Sequence, residues 1–151
     1  MTLNINGIEN STRLRMLDDF LHRYDVDIAL LQEVTNVDRL VVKGYQSIVN
    51  VGTVGRGTAI LHKLHLQLHK PKRIPTGRGL AAYLENICVV NIYAPSGNAN
   101  RSDREDFFNT EVVELIPQSP TQLMWGGGTL TVFFQKKTVQ IIVPAAERWT
   151  D

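Results

Sequence analysis

The stretch DIALLQEV, Asp27 to Val34, constrains the fold most: an unbroken apolar run closed by polar Gln32 and Glu33. A strand with one wet face alternates at a period of two, whereas a continuous run has the look of a strand buried on both faces. Ahead of it the pattern changes. From Ser11, which has the chemistry of an N-cap, Leu14, Leu17, Phe20, Leu21 and Tyr24 recur at three- and four-residue spacing, making one apolar stripe on a helix. Before that, TLNIN (Thr2 to Asn6) alternates apolar and polar residues up to Gly7, as a short strand followed by a turn does. Strand, helix and strand in this order predict a right-handed parallel crossover.

The middle of the chain reads as antiparallel strands separated by turn residues. GTAILHK (57–63) and LHLQLHK (64–70) are candidates, and GLAAYLE (79–85) and ICVVNIY (87–93) flank a short turn near Asn86, with their apolar residues facing one way. A second helix is predicted from Ser102 to about Ile116, where Ser102 and Glu105 have capping-box spacing. Phe108, Val112, Leu115 and Ile116 form its inward stripe, and Pro117 and Pro120 end it. QLMW (122–125) then reads as one more buried strand running into three glycines at 126–128. Neither an internal repeat nor a dividing linker is found.

Composition bounds the function without naming it. At 151 residues, 43% of them hydrophobic, the chain suits one ordinary domain with a real core. A formal net charge of +1 supplies no global field for nucleic acid or anionic membrane, so polyanion binding has to come from local patches. The one cysteine, Cys88, lies inside an apolar run, which leaves it without a disulfide partner. A buried inert thiol in a reducing intracellular compartment, nucleus or cytoplasm, is the expectation. No apolar run approaches the ~20 residues that span a bilayer, and the N-terminus lacks the pattern of a signal peptide, so neither a membrane partner nor export is expected.

Several features invite chemistry and few carry it. GTVGRG (Gly52 to Gly57) is glycine-rich but has neither the Lys-Ser/Thr ending of a P-loop nor the dinucleotide spacing, and a plain turn is the simpler reading. His62, His65 and His69 lack a Cys or carboxylate to complete a zinc set, which favours solvated side chains. Arg56, Lys70, Lys72, Arg73 and Arg78 lie in or near expected loops, where scattered charges are usually solvated but are placed to touch phosphates. The stronger set sits at strand ends. Asn4 and Asn6 close the first strand, Glu33 closes ALLQE, and Tyr93 ends VVNIY. If these strands are neighbours in one sheet, a carboxylate, two amides and a phenol gather at one rim, hard oxygen donors suited to magnesium and a phosphate ester. The plainer alternative is a solvent-facing strand-end carboxylate with asparagines satisfying turns.

Taken in order and spacing, TLNINGI, RLRMLDDFL, DIALLQEV, VNIYAPSG, the helix containing REDFFN and the strand QLMWGG resemble the first half of the endonuclease/exonuclease/phosphatase superfamily. Within it they are most similar to the apurinic-type endonuclease domain of non-LTR (LINE-type) retrotransposons, over about Thr2 to Gly127. The resemblance implies an α/β fold, the truncated part of a four-layer sandwich in which two packed mixed β-sheets carry helices outside. It implies that Asn4 helps position metal and phosphate, that Glu33 is a magnesium ligand, and that Tyr93 contacts the scissile phosphate in catalysis. Asn6 stands where DNA-repair relatives often carry a carboxylate, and Ser96 is placed to line the DNA side. DNA is the implied partner and Mg2+ the implied cofactor, with Mn2+ as its substitute.

After LMWGG the family continues as DFN, whose aspartate serves the attacking water and whose asparagine steadies the phosphate; here GTLTV stands instead. Reading one frame over from the third base of the Gly128 codon allows DFNCVLSKKDCT at the required place. The expected organisation is therefore an N-terminal domain portion at 2–127 and an out-of-frame tail at 128–151, although TLTVFF and VQIIV retain strand chemistry. A tight turn between two real strands is the competing reading of the glycines. The family's SDH histidine has no counterpart here, so the polypeptide is expected to be inactive by itself and to leave a sheet edge and an apolar face open. Two alternatives stand beside this: a nucleic-acid-binding module without catalysis, or an active phosphodiesterase that recruits Glu114, Glu147 or Asp151.

Overall fold

A computed structural model of the chain describes residues 1–8, 11–53, 55–96, 100–117, 122–127, 130–135 and 138–142. The crossover forms as expected: β1 (Thr2–Asn4) leads through α1 (Ser11–Arg23) to β2 (Ile28–Val34), and β1 and β2 pair in parallel. β3 (Tyr45–Val51) and β4 (Gly57–Lys63) complete a sheet of order β1-β2-β4-β3. The second sheet comprises β5 (Leu68–Arg73), β6 (Gly79–Leu84), β7 (Ile87–Ile92), β8 (Gln122–Gly127), β9 (Leu130–Gln135) and β10 (Thr138–Ile142), in the order β10-β9-β8-β7-β6-β5. Its β7–β8 pair is parallel and its other pairs are antiparallel. Between β7 and β8 runs a helix, α2 (Arg101–Asp106), which widens into a π-helical stretch, Phe107–Val112, and closes as α3 (Val113–Leu115).

Three apolar layers explain the unbroken hydrophobic run. One face of β2 and β4, with Ala29, Leu31, Ala59 and Leu61, packs on Leu17 and Leu21 of α1. The other face, with Ile28, Leu30 and Ile60, meets Leu80, Ala82 and Val89 of the second sheet. Beyond that sheet, Ala81, Cys88 and Val90 pack on Phe107, Val112 and Leu115. The result is an α/β fold of two packed mixed sheets with helices outside, as the resemblance implied. Each large side chain so enclosed contributes roughly 1.5–3 kcal/mol relative to exposure. Cys88 is fully buried, and that burial raises its thiol pKa, as befits an inert group.

Polar contacts register one sheet on the other. Asn91 of β7 donates through Nδ2 to the carbonyls of Leu31 (2.9 Å) and Ala59 (2.8 Å), on β2 and β4. Its Oδ1 accepts from Gln32 Nε2 at 2.7 Å, and both side chains are fully buried. Asn50 of β3 donates to the carbonyls of Ile74 and Gly79, both at 2.8 Å. Close approach matters as well. A Cβ on Gly126 of β8 would lie 2.5 Å from Leu30 Cδ1, so a side chain there would make the Leu30 side chain shift.

Several expectations are corrected. β1 stops at Asn4 because Asn6 takes a positive φ of 46° and turns the chain. Tyr24 lies beyond the end of α1 and is 62% exposed, outside the apolar stripe. LHLQLHK is not one strand: the Leu66 N–H donates to the Lys63 carbonyl in a turn, and β5 starts at Leu68 and continues through Pro71, which an edge strand tolerates. β3 escaped the sequence reading because its burial follows no clean alternation. β6 and β7 do not face one way, since they lie between two apolar layers. The capping box is absent: Ser102 lies inside α2, Asn100 precedes it, and Glu105 accepts from Arg101 Nε at 2.9 Å. Phe107, rather than Phe108, is the buried phenylalanine, because the π turn puts residues five apart, Phe107 and Val112, on one face.

Asn91→Ala is expected to destabilise the fold by about 2–4 kcal/mol, because two buried carbonyls and the Gln32 amide lose their partner. A urea midpoint unchanged from wild type would show that these bonds do not hold the sheets.

Candidate functional site

The site starts from a defect in β2. Gln32 pairs with Thr58 and Val34 with Gly57, so Glu33 between them has no partner on β4 and adopts a φ of 55°. Such a bulge re-aims its side chain, and a left-handed glutamate is held there only by its surroundings. Neighbouring backbone supplies that hold. Ile5 N–H donates to the Gln32 carbonyl at 3.1 Å and Gly7 N–H to the Glu33 carbonyl at 2.9 Å, so the β1 exit wraps the bulge.

Three side chains then close on the carboxylate. Asn4 Nδ2 donates to Glu33 Oε1 at 2.8 Å and Tyr93 OH donates to the same oxygen at 2.7 Å. Arg56 Nη1 donates to Oε2 and forms an ion pair with it. Glu33 retains 12% side-chain exposure against 54% for Arg56, so the carboxylate is recessed and the guanidinium stands in solvent. Asn4 Oδ1 is also engaged, accepting the Asn6 N–H at 3.0 Å, while the Asn6 carbonyl accepts from Arg13 Nη1 at 2.6 Å. Arg78 flanks the tyrosine: its Nη1 donates to the Tyr93 carbonyl at 3.3 Å, and its guanidinium lies 5.4 Å from the ring centre.

The rim thus joins Asn4, Glu33 and Tyr93 across two sheets, not along one as the sequence reading supposed, since β1 and β2 belong to the first sheet and β7 to the second. Asn6 shares the rim through its backbone. Ser96 is exposed, its carbonyl accepting from Asn100 Nδ2 at 2.6 Å, and none of its described contacts reaches Glu33. The arginines were read as scattered charges, and this is where that reading fell short. Arg56 comes from the β3–β4 loop and Arg78 from the β5–β6 loop, and the two loops touch: a Cβ on Gly52 would lie 2.0 Å from the Thr76 carbonyl. Glycine at 52 is thus a signal for crossing backbones rather than for phosphate. The other cations, Lys70, Lys72 and Arg73, lie on edge strand β5, with Lys72 Nζ donating to the Glu114 carbonyl (3.3 Å) and Arg73 Nε to the Val49 carbonyl (2.9 Å).

The histidines do not converge. His62 is buried in β4, whereas His65 and His69 are exposed, and His69 stacks on Tyr83 with ring centres 6.1 Å apart. Glu114 belongs to the outer helix; Glu147 and Asp151 lie outside the described residues.

Burial alone would raise the Glu33 pKa. The hydrogen bonds donated by Asn4 and Tyr93 and the nearby Arg56 charge outweigh it, holding the carboxyl below its usual value. Tyr93 moves the opposite way: burial, then its bond to the Glu33 carboxylate, raises the phenol above its ordinary value and keeps it a proton donor at neutral pH. Chemically the set offers one ionised carboxylate held by an amide N–H, a phenol and a guanidinium, and among the described residues no group of three His, Cys, Asp or Glu side chains converges. A single hard carboxylate fits a divalent cation that keeps several waters and takes its remaining ligands from phosphate. Glu33 is the residue that would hold it, with Asn4 orienting the carboxylate; the ion would supply charge neutralisation on a phosphate oxygen.

This architecture is an α/β sandwich of two packed mixed sheets. Residues 1–124 match the model of the Endonuclease/Exonuclease/phosphatase family, and the chain belongs to that family. Among solved structures, truncated TDP2 from Caenorhabditis elegans aligns with a TM-score of 0.62 at 23% identity, over 82% of this chain and 58% of that one. An AP endonuclease from Archaeoglobus fulgidus gives 0.63 at 20% identity, over 83% and 55%. The 3'-5' exonuclease NExo from Neisseria meningitidis gives 0.68 at 20% identity, over 83% and 55%. These likenesses are of fold, and the chain spans a little over half the length of the three structures. No curated protein matches the sequence.

A carboxylate whose folded pKa lies below its unfolded value stabilises the fold above about pH 4.3, and that contribution fades as pH falls through the folded pKa. Glu33→Gln is therefore expected to be less stable than wild type near neutrality, with the gap closing as pH falls from about 5 through the depressed folded pKa. Urea midpoints across that range check it; a constant gap would count against the depressed pKa.

Proposed function

We propose that this chain is the N-terminal portion of a magnesium-dependent DNA endonuclease of non-LTR retrotransposon type. By itself, the polypeptide gathers charge on a phosphodiester without hydrolysing it. One observation carries the reading: a recessed, ionised Glu33 held between the Asn4 amide and the Tyr93 phenol. In this reading Glu33 would hold the ion, Asn4 would set the carboxylate plane and Tyr93 would direct its hydroxyl to the phosphate, while a bound ion would supply charge neutralisation. Asn6 and Ser96 lie along the substrate path. That the substrate is nucleic acid is supported by the AP endonuclease likeness and by TDP2 from D. rerio, which was solved with a single-strand DNA product and aligns at 20% identity over 83% of this chain.

What drives water is missing from the 151 residues. GTLTV stands where DFN is expected, and His22, His62, His65 and His69 all lie before that point, none in an SDH context. Residues 128–151 are read as an out-of-frame tail. That β9 and β10 add to the sheet does not oppose this, because TLTVFF and VQIIV are β-branched and apolar in the frame as translated. A second reading, a DNA-binding module without chemistry, is favoured by Arg56 and Arg78 at the rim.

Catalytic groups that act as a unit leave little behind when several are lost, often ~10⁴-fold or more below the intact set. With supercoiled DNA and magnesium, the chain is expected to nick no faster than its Glu33→Ala variant. Robust Glu33-dependent nicking would overturn the inactivity; DNA binding that weakens steeply with salt would support the second reading.

A further inference from the structure

The arginine of the GTVGRG loop holds an atom the proposed chemistry needs. A carboxylate oxygen accepts about two hydrogen bonds along its lone pairs. Glu33 Oε1 already takes two, from Asn4 Nδ2 and Tyr93 OH. Of the two oxygens Oε2 is therefore the less occupied and the readier one for a cation, and its one described donor is Arg56 Nη1. Two cations on that oxygen repel one another, the more strongly at a recessed site, so the guanidinium opposes a second cation there.

Arg56 is built to leave. Its side chain is 54% exposed, and it lies between two glycines of the β3–β4 loop. Gly55, at a φ of 73°, has open space where a Cβ would be, whereas Gly57 sits in β4, with the Asn50 carbonyl oxygen only 2.0 Å from an added Cβ. The backbone is thus held on both sides of the arginine, by the Gly55 N–H bond to the Gly52 carbonyl (3.3 Å) and by the close packing at Gly57, while the exposed side chain itself has solvent to swing into. Arg78, by contrast, sits over the Tyr93 ring and bonds a backbone carbonyl.

We propose that Arg56 is the resident cation of Glu33, so that a divalent ion binds by exchange for its guanidinium at Oε2 and not by addition to an open carboxylate. The contact keeps a recessed charge paired when no ion is present and sets the threshold concentration at which an ion is taken up. A pair closed nine-tenths of the time raises the apparent Kd about tenfold. The inference rests on the reading of Glu33 as the ion ligand.

Mn2+ titrations of the full 151-residue chain, followed by electron paramagnetic resonance at constant ionic strength, test it. Arg56→Ala is expected to bind about tenfold tighter than wild type, and Arg56→Gln, which keeps the side-chain length, similarly. Arg78→Ala removes the same charge nearby without touching Oε2 and is expected to change affinity by less than about threefold. Equal affinity in wild type and both Arg56 variants overturns the exchange, as does an Arg78→Ala gain matching theirs. Wild-type affinity in Glu33→Ala overturns both the exchange and the assignment of Glu33 as ligand. Loss in Glu33→Ala without gain in the Arg56 variants removes the exchange alone.

Discussion

The arrangement depends on a pair of buried amides. Apolar contact between two sheets is non-directional and would tolerate sliding, whereas Asn91 must point its two N–H groups at the carbonyls of Leu31 and Ala59. Its oxygen then has to accept, which orients Gln32 Nε2 toward it. Gln32 directly precedes Glu33, and Asn91 lies two residues before Tyr93. Registering the amides therefore registers the carboxylate and the phenol, which meet at 2.7 Å although they belong to different sheets.

From that register the electrostatics follow. The bulge turns Glu33 out of the β2–β4 ladder into a recess where solvation is weaker and each hydrogen bond counts for more. Burial pushes its pKa up, three donors pull it down, and the donors win. Burial, and then the same contact, pushes the Tyr93 phenol up, so the two groups meet as charged acceptor and neutral donor. A left-handed glutamate in a strand is unfavourable by itself; its neighbours impose it, as strained functional positions generally require.

Much of this was legible from residue order. The continuous run at Asp27–Val34 marked a strand covered on both faces, and the stripe from Leu14 to Leu21 marked the helix that covers one of them. Asn4, Glu33 and Tyr93 were visible as strand-end polar groups. Arg56 and Arg78 were not, because a loop arginine looks the same whether it is solvated or folded back, and only the crossing of backbones at Gly52 and Thr76 brings both to the rim. The π turn was equally hidden, since Phe107 and Phe108 are adjacent and an α-helical period picks the half-buried Phe108, which packs on the same cluster, over the buried Phe107.

What the sequence determined by itself is local: the first crossover with its helix, the strand covered on both faces, and which polar groups end the strands, since these follow from periodicity and side-chain chemistry over a few residues, whereas β3, the start of β5 and the facing of β6 and β7 do not. Tertiary structure alone decided that the rim spans two sheets, that Glu33 sits in a bulge, and that a guanidinium occupies its second oxygen. Those outcomes arise from pairings some 23 to 60 residues apart along the chain, whose geometry is set by register and close packing and leaves no periodic trace in the residues that take part.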